Sequence, residues 1–181
     1  MNMTYISLLR GINVSGQKKI IMKDLKALYE SLGFANVVTY IQSGNIIFAS
    51  DADEQTLIKK IEETISKKYG FDVPVQVRSA REFENIIEAC PFAELDLVEE
   101  GTRVMVTFLA SVPSSESVEK FMTYVKEPEC LVFMDRAVYL HCPNGYGKTK
   151  LSNVFIENKL KVKATTRNWK SVCKLWDITL K

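Results

Sequence analysis

Hydrophobic positions recur along the chain in two periods, and the order in which these periods alternate predicts a fold. Short runs rich in β-branched and aromatic residues predict strands at 5–9, 37–42, 45–49 and 73–77. Apolar residues at helical spacing predict helices over 22–32, 57–65 and 83–87, with Gly33 and Gly70 as stops after the first two. The first six elements form the order β-α-β-β-α-β of a ferredoxin-like unit, in which two helices cover one face of an antiparallel four-stranded sheet.

The second half of the chain repeats this order. Strands are predicted at 103–109, 131–134, 137–141 and 163–167, helices over 118–125 and 151–159, and a last helix from Asn168. The segment VPVQVRS (73–79) aligns with VKATTRN (162–168), so Arg78 corresponds to Arg167 and the helix-capping Ser79 to Asn168. We therefore predict an α+β protein, a tandem duplication of a ferredoxin-like unit with antiparallel sheets. The first unit is expected at 1–95, and the second, with its C-terminal helix, at 102–181.

Local signals refine this prediction. Ser43-Gly44 between two strands predicts a two-residue hairpin, and Pro74 predicts an edge strand or a strand start. Capping boxes are predicted at 51–54 and at 79–82, each ahead of a helix. The boundary between the units is expected near 92–102, an acidic segment without clear periodicity.

Composition limits the class of protein. The 181 residues are 46% hydrophobic and 25% charged, which is enough apolar material for a folded core. No run is long enough to span a membrane, and the N-terminus lacks a signal-peptide pattern, so we expect a cytoplasmic protein without a membrane partner. The four cysteines show no CxxC spacing and the only histidine is His141, so we expect reduced cysteines, no metal and no cofactor.

Charge is unevenly distributed along the chain. Residues 1–23 contain four basic residues and no acid, and residues 145–181 carry a net charge of +7, whereas residues 24–144 carry −9. If the two basic ends meet, they form one basic face that attracts polyanions. The alternative is that these lysines are solvated helix surfaces that keep the protein in solution.

The segment CPNGYGKTKL (142–151) resembles a nucleotide-binding loop but does not match its pattern. A P-loop requires G-x-x-x-x-G-K-[ST], and Cys142 occupies the position of the first glycine. The preceding strand also belongs to a predicted hairpin rather than to a parallel sheet. Anion binding without NTP hydrolysis stays open, because backbone amides and the helix dipole favour phosphate beside Lys148 and Lys150. The structural alternative is a connection in which Thr149 or Asn144 caps the next helix.

Polar loops supply the candidate binding residues. Arg10 at a strand end can hold a carboxylate or phosphate in a fork, or pair with an acid of the same sheet. The polar turn at 42–45 is explained by hairpin geometry alone. Trp169 could stack on a base or lie in the core. The candidate ligand-binding residues are Arg10, Asn13, Gln42, Ser43, Asn45, Tyr146, Lys148, Thr149, Arg167 and Asn168.

The sequence contains few of the residues that the common catalytic arrangements require. A Ser–His–Asp triad has one histidine to draw on, and Cys142, next to His141 on one strand, would point to the opposite face. No pair of carboxylates stands out, and the aromatic motifs of RNA-recognition modules are missing from the central strands.

Several of these stretches carry a resemblance to a known family. They are LLRGINVSGQKKIIM (8–22), TYIQSGNIIFAS (39–50), FDVPVQVRS (71–79), NGYGKTKLS (144–152) and ATTRNWKSVCKL (164–175). Over nearly its whole length the chain resembles a bacterial family, the domain of unknown function DUF1697. That family often has Arg-Ser where this chain has Lys148-Thr149, which indicates that a cation and a hydroxyl matter there. The resemblance implies an α+β fold and brings no established activity.

Three functions remain open at this point. The first is a non-catalytic binder of nucleic acid or another anionic ligand, with several candidate residues meeting at one end of the sheets. The second is an enzyme acting on a small phosphorylated or carboxylated metabolite in a loop-lined pocket. The third is a protein-interaction module that uses an exposed sheet edge or face. The sequence decides neither whether the protein is an enzyme nor its oligomeric state.

Overall fold

A computed structural model describes all 181 residues as eight strands and six α-helices. The strands are β1 (Met3–Leu9), β2 (Ala35–Tyr40), β3 (Asn45–Ser50), β4 (Val75–Ser79), β5 (Val104–Leu109), β6 (Cys130–Met134), β7 (Ala137–His141) and β8 (Ala164–Asn168). The helices are α1 (Met22–Ser31), α2 (Glu54–Tyr69), α3 (Ala80–Glu88), α4 (Ser115–Met122), α5 (Asn153–Leu160) and α6 (Trp169–Thr179). A short 3₁₀ helix lies at Tyr146–Lys148.

The strands form two antiparallel sheets of four strands each. The first has the order β2-β3-β1-β4 and the second the order β6-β7-β5-β8, so the two sheets repeat one topology. This confirms the predicted α+β duplication of a ferredoxin-like unit. The chain groups into two compact units, residues 1–84 with 175–181, and residues 85–174. The sequence placed the division later, near 92–102, and contained no indication that the C-terminal residues join the first unit.

Alternate strand residues build the core of the first unit. On β1, Tyr5 and Leu9 are buried on the same side of the sheet, as the two-residue period of a strand requires. Leu25 and Tyr29 of α1 belong to the same buried cluster. Tyr29 carries the one hydroxyl of α1 in this core, and it hydrogen-bonds to Ser7 Oγ at 2.9 Å. The buried hydroxyls of Ser7 and Tyr29 therefore satisfy each other.

The second unit repeats this construction with different side chains. Met105 and Leu109 of β5 are buried together with Phe121 of α4 and Ile156 of α5. Helices α4 and α5 therefore cover the second sheet as α1 and α2 cover the first. Trp169 is also buried, with 5% of its surface exposed, so it lies in the interior rather than on a base-stacking surface.

The connection between β2 and β3 differs from the predicted two-residue hairpin. Tyr40 pairs with Asn45, so residues 41–44 form the connection. Within it, Ile41 has φ of 50° and Gly44 has φ of 85°. The Ser43-Gly44 dipeptide alone therefore did not determine the turn, because the left-handed residues stand at the two ends of a longer connection.

The predicted capping box at 51–54 is also wrong. Asp53 rather than Asp51 is the N-cap of α2, and its Oδ1 accepts a hydrogen bond from Thr56 N at 3.0 Å. The second box is present: Ser79 N donates to Glu82 Oε2 at 2.9 Å, and Glu82 N donates to Ser79 Oγ at 3.2 Å. The strand that follows Pro74, β4, lies at the edge of its sheet as predicted.

Candidate functional site

Five of the ten candidate residues lie at one end of the first sheet. They follow β1 or belong to the β2–β3 connection and its flank: Arg10, Asn13, Gln42, Ser43 and Asn45. Asn13 joins the two segments, because its Nδ2 donates to the main-chain oxygens of Ile20 at 3.0 Å and of Gln42 at 2.8 Å. Its Oδ1 accepts a hydrogen bond from Ile20 N at 2.9 Å. The structure thus brings these two segments together through one amide side chain.

The other residues of this group have structural partners. Asn45 is fully buried, and its Nδ2 donates to Tyr40 O and to Ser43 Oγ, each at 2.9 Å. Arg10 is half-buried, and its main-chain N–H donates to Pro74 O at 3.0 Å. These contacts agree with the interpretation of 42–45 as a structural turn, since the Asn45 amide serves the hairpin and does not face solvent.

The backbone at this end of the sheet is unusual. Asn13, Ser15 and Lys18 have φ values of 55°, 50° and 45°, and Ile41 in the β2–β3 connection has φ of 50°. A positive φ is a clear outlier for a β-branched residue such as isoleucine. Residues held in such conformations cost about 1–3 kcal/mol each and concentrate at binding sites. Their grouping here marks the region as a candidate site.

An open groove of about 560 Å³ lies beside the segment that joins β1 to α1, and it is termed the loop groove. Its lining consists of Asn13, Gly16, Lys19, Ile20, Ile21, Met22 and Gln42. The lining contains one cation, Lys19, and no acid. Its volume lies within the range of about 300–1,000 Å³ that is usual for small-molecule sites.

Helix α1 begins at the wall of the loop groove without a side-chain cap. Ile21 is the N-cap residue and makes no capping hydrogen bond, and the only acid in the first turn, Asp24, does not line the groove. The first amides of an uncapped helix need partners and carry partial positive charge. The equivalent helix of the second unit, α4, is capped by Ser114, whose Oγ accepts from Ser117 N at 3.2 Å. The sequence analysis predicted that α1 begins at Met22 but did not select this helix start as a candidate site, although the absence of a capping residue before Met22 was a usable signal.

A larger groove of about 790 Å³ runs along the edge of the first sheet beside β2. Its lining includes Lys26 and Glu30 of α1, whose charged atoms are 3.9 Å apart as an ion pair. An anion in this groove would meet an acid that the loop groove lacks. The loop groove is therefore the better candidate for an anionic ligand.

The loop that resembles a P-loop forms a 3₁₀ helix ahead of α5. Two early amides of α5 already have partners: Asn153 N donates to Tyr146 Oη at 2.9 Å, and Phe155 N donates to Ser152 Oγ at 3.3 Å. An anion at this helix start would have to displace these contacts, in contrast to the start of α1.

The two other candidate residues of this loop have different environments. Thr149 Oγ1 accepts a hydrogen bond from Leu151 N at 3.0 Å, and Lys148 is exposed. The N-cap of α5 is Ser152, so the expectation that Thr149 or Asn144 caps this helix is wrong. Thr149 instead holds the turn that leads into the helix.

Arg167 and Asn168 lie at the end of β8. Arg167 is 9% exposed, its Nη1 donates to Thr166 O at 3.0 Å, and burial lowers its pKa to about 10. Thr166 Oγ1 donates to Asn153 Oδ1 of α5 at 2.8 Å, so the neighbouring Arg167 faces the other side of the sheet. Asn168 caps α6, as predicted, through Ser171 N at 2.8 Å. The structure therefore does not bring Arg167 together with the loop ahead of α5.

A charged cluster that the sequence did not predict surrounds His141. His141 Nε2 lies 3.0 Å from Glu100 Oε2, and Arg103 Nη1 lies 2.9 Å from Glu100 Oε1. The hydrogen bond from His141 is the main cause that lowers the pKa of Glu100, and the bond from Arg103 acts in the same direction. His141 and Glu100 are 41 positions apart, so no motif spacing could have indicated the pair.

Comparison with known proteins assigns the chain to a family. A family model described as a protein of unknown function, DUF1697, matches residues 3–139. The chain belongs to this family. A conserved bacterial protein, SP0830 from Streptococcus pneumoniae, has a similar structure, with a TM-score of 0.79, 25% sequence identity and 98% coverage of both chains. No curated protein matches the sequence.

The DUF1697 match includes the whole loop groove. It ends before the loop at 144–152 and before the stretch at 164–175, which contributed to the resemblance seen in the sequence. All the lining residues of the loop groove lie in the matched part of the chain.

Two further structural observations describe this DUF1697 protein. No group of three or more His, Cys, Asp or Glu side chains is arranged to hold a metal ion. None of the helices combines the length and the apolar character needed to cross a bilayer.

Proposed function

We propose that the protein binds phosphate-bearing ligands in the loop groove, with nucleic acid as the first candidate. The observation that carries this proposal is the uncapped start of α1, which opens into a groove that contains Lys19 and no acid. Main-chain amides at a helix start, together with the helix dipole, favour an anion. Lys19 adds a full positive charge beside them.

The surrounding residues divide into those that hold the groove and those that can meet a ligand. Lys18 Nζ donates to Asp72 O at 2.6 Å, so this ammonium fixes the segment in place. Lys23 in the first turn of α1 is exposed and stands next to the helix start. Ile21 is 67% exposed, which places apolar surface next to the cations. A ligand with a phosphate and an apolar or aromatic part, such as a nucleotide unit, matches this combination.

The groove lacks the groups that would perform chemistry on a ligand. Its side chains are amides, one ammonium and apolar groups, with no carboxylate, imidazole, thiol or hydroxyl among the lining residues. General bases and most nucleophiles come from those missing classes. Binding without catalysis is therefore the function that the lining supports best.

Fluorescence anisotropy with labelled single- and double-stranded oligonucleotides, at low salt and near physiological salt, tests the proposal. We expect binding at low salt, with a log–log salt slope of about −0.7 to −0.9 for each phosphate contact. Lys19→Gln should weaken binding and reduce the slope by about one contact. Lys59→Gln is the matched control, because Lys59 lies on α2 with 78% of its side chain exposed. Equal losses in both variants would indicate diffuse attraction by net charge and overturn the assignment to the groove.

A small phosphorylated or carboxylated metabolite is the second candidate, supported by the groove volume of about 560 Å³. Titration with inorganic phosphate and a nucleoside monophosphate, followed by amide NMR shifts, separates it from the first. Shifts at Met22 and Lys23 without oligonucleotide binding would favour the small ligand. Absence of oligonucleotide binding and of these shifts would overturn both forms of the proposal.

A further inference from the structure

Strand pairing in the second unit places a thiol beside an imidazole on one face of the sheet, and the imidazole is hydrogen-bonded to a carboxylate. Cys130 on β6 is the direct pairing partner of His141 on β7. Side chains of directly paired residues lie on the same face of a sheet, with Cβ atoms about 4.5–5.5 Å apart. His141 in turn is hydrogen-bonded to Glu100, with 3.0 Å between Nε2 and Oε2. Sequence reasoning considered only Cys142, the chain neighbour of His141, and missed the cysteine across the strand pair.

The hydrogen bond to Glu100 decides which nitrogen of His141 is basic. An ionised carboxylate can only accept hydrogen bonds, so Nε2 of His141 carries the proton in this contact. In the neutral ring Nδ1 is then the free base, and it can take a proton from a neighbouring thiol. A nucleophile, a base and a group that orients the base form the general arrangement for activating a cysteine.

Exposure separates Cys130 from the other cysteines. Cys130 is exposed, Cys90 and Cys173 are half-buried, and Cys142 is buried. The Cys142 thiol donates to Arg103 O at 3.1 Å, and burial raises its pKa to about 11. Burial also raises the pKa of Cys90. Because the thiolate is the reactive form, Cys130 combines access with a neighbouring base and the other cysteines do not.

We propose that Cys130 undergoes thiol–disulfide exchange with low-molecular-weight disulfides, with His141 as its base and Glu100 as the residue that positions His141. The Cys130 proton passes to His141 Nδ1, and the thiolate sulfur bonds to one sulfur of the disulfide. The disulfide bond of the small molecule breaks, and the departing thiolate takes the proton from His141. Cys130 is oxidised to a mixed disulfide, and half of the small disulfide leaves as a reduced thiol.

Reaction of the native protein with dithiobis-nitrobenzoate tests this proposal. Release of the coloured thiol is followed by absorbance, and the modified residue is located by mass spectrometry of peptides. We expect one fast-reacting thiol per chain, located at Cys130 and lost in Cys130→Ser. Cys90→Ser is the matched control and should keep the fast phase. A fast phase that survives in Cys130→Ser would overturn the proposal.

A second comparison isolates the contribution of His141. An ordinary thiol is only about 3% ionised at neutral pH, so full activation is worth up to roughly 30-fold in rate. We expect His141→Gln to slow the fast phase by about tenfold, and Glu100→Gln to slow it by less. Native Cys130 should also react faster than free cysteine under the same conditions, a comparison that needs no variant. A Cys130 no faster than free cysteine, or a His141→Gln variant with an unchanged rate, would refute the role of the imidazole.

Discussion

Replacing Gly44 with alanine tests the close approach between the β2–β3 connection and the segment after β1. Gly44 has φ of +85°, and a Cβ at this position would lie 2.7 Å from Ile12 Cδ1 and 2.8 Å from Leu9 Cβ. Leu9 and Ile12 are both buried, so neither side chain can move aside into solvent. The main chains are also joined here, because Leu9 N donates to Gly44 O at 2.8 Å.

Two costs add in this variant. A left-handed conformation costs about 1–2 kcal/mol for an L-residue with a Cβ. Forcing an extra carbon into a filled core costs about 1–3 kcal/mol. We therefore expect Gly44→Ala to lower the free energy of unfolding by about 2–5 kcal/mol. Gly70→Ala is the matched control, because Gly70 in the same unit has φ of +75° and its added Cβ would meet nothing within 4 Å.

Urea unfolding followed by far-UV circular dichroism measures both variants. Gly70→Ala should lower the free energy of unfolding only by the conformational cost of about 1–2 kcal/mol. The further decrease in Gly44→Ala then measures the cost of the contact with Ile12 and Leu9. In a chain of this size each kcal/mol corresponds to about 2–4 °C in Tm. Gly44→Ala should also weaken oligonucleotide binding more than Gly70→Ala, since Gly44 holds the connection that carries Gln42. Equal stability losses in the two variants would refute the reasoning.

Two further outcomes follow from side-chain contacts in the second unit. Asn153→Ala removes hydrogen bonds to Ala164 O at 3.0 Å and from Thr166 Oγ1 at 2.8 Å, and should cost about 1–3 kcal/mol in urea unfolding, whereas the exposed Asn158→Ala on the same helix should cost little. The folded-state pKa of Glu100 is lowered, so the stability it contributes is complete above its ordinary value of 4.5 and is lost as the pH falls through the lower folded value. Urea unfolding of wild type and Glu100→Gln across this pH range measures the difference in their free energies of unfolding, which should shrink as the pH falls. A difference that persists unchanged in strong acid would contradict this expectation.

The fold was predictable because its signals are local and occur twice. The two-residue period that places Tyr5 and Leu9 on one side, and the reciprocal capping of Ser79 and Glu82, need no knowledge of distant residues. The turn before β3 was not predictable in this way. Ile41 adopts a conformation that its own side chain disfavours, so contacts elsewhere must determine it.

The candidate site was predictable only in part, for a related reason. Polar character identified Asn13 and Gln42, which do line the loop groove, but it also identified Arg167, which is buried. The sequence shows that a residue is an arginine, but it does not show whether the side chain faces solvent or the interior. The sequence analysis did not select Lys19 or the uncapped start of α1 as candidates. Both are distinguished by the groove that they border, and a groove is visible only in the structure. The pairing of Cys130 with His141 follows from the register of the predicted hairpin, but the predicted strand began at residue 131 and so left Cys130 out.

The two halves of the chain also differ in how their first helix begins. Residues 10–21 lead to the uncapped α1, whereas residues 110–114 lead to α4, which Ser114 closes. Five residues therefore suffice to join the first strand to the first helix in this topology, and the length of residues 10–21 is not needed for the connection itself. Grafting residues 110–114 in place of 10–21 would show whether the first unit folds without the loop groove.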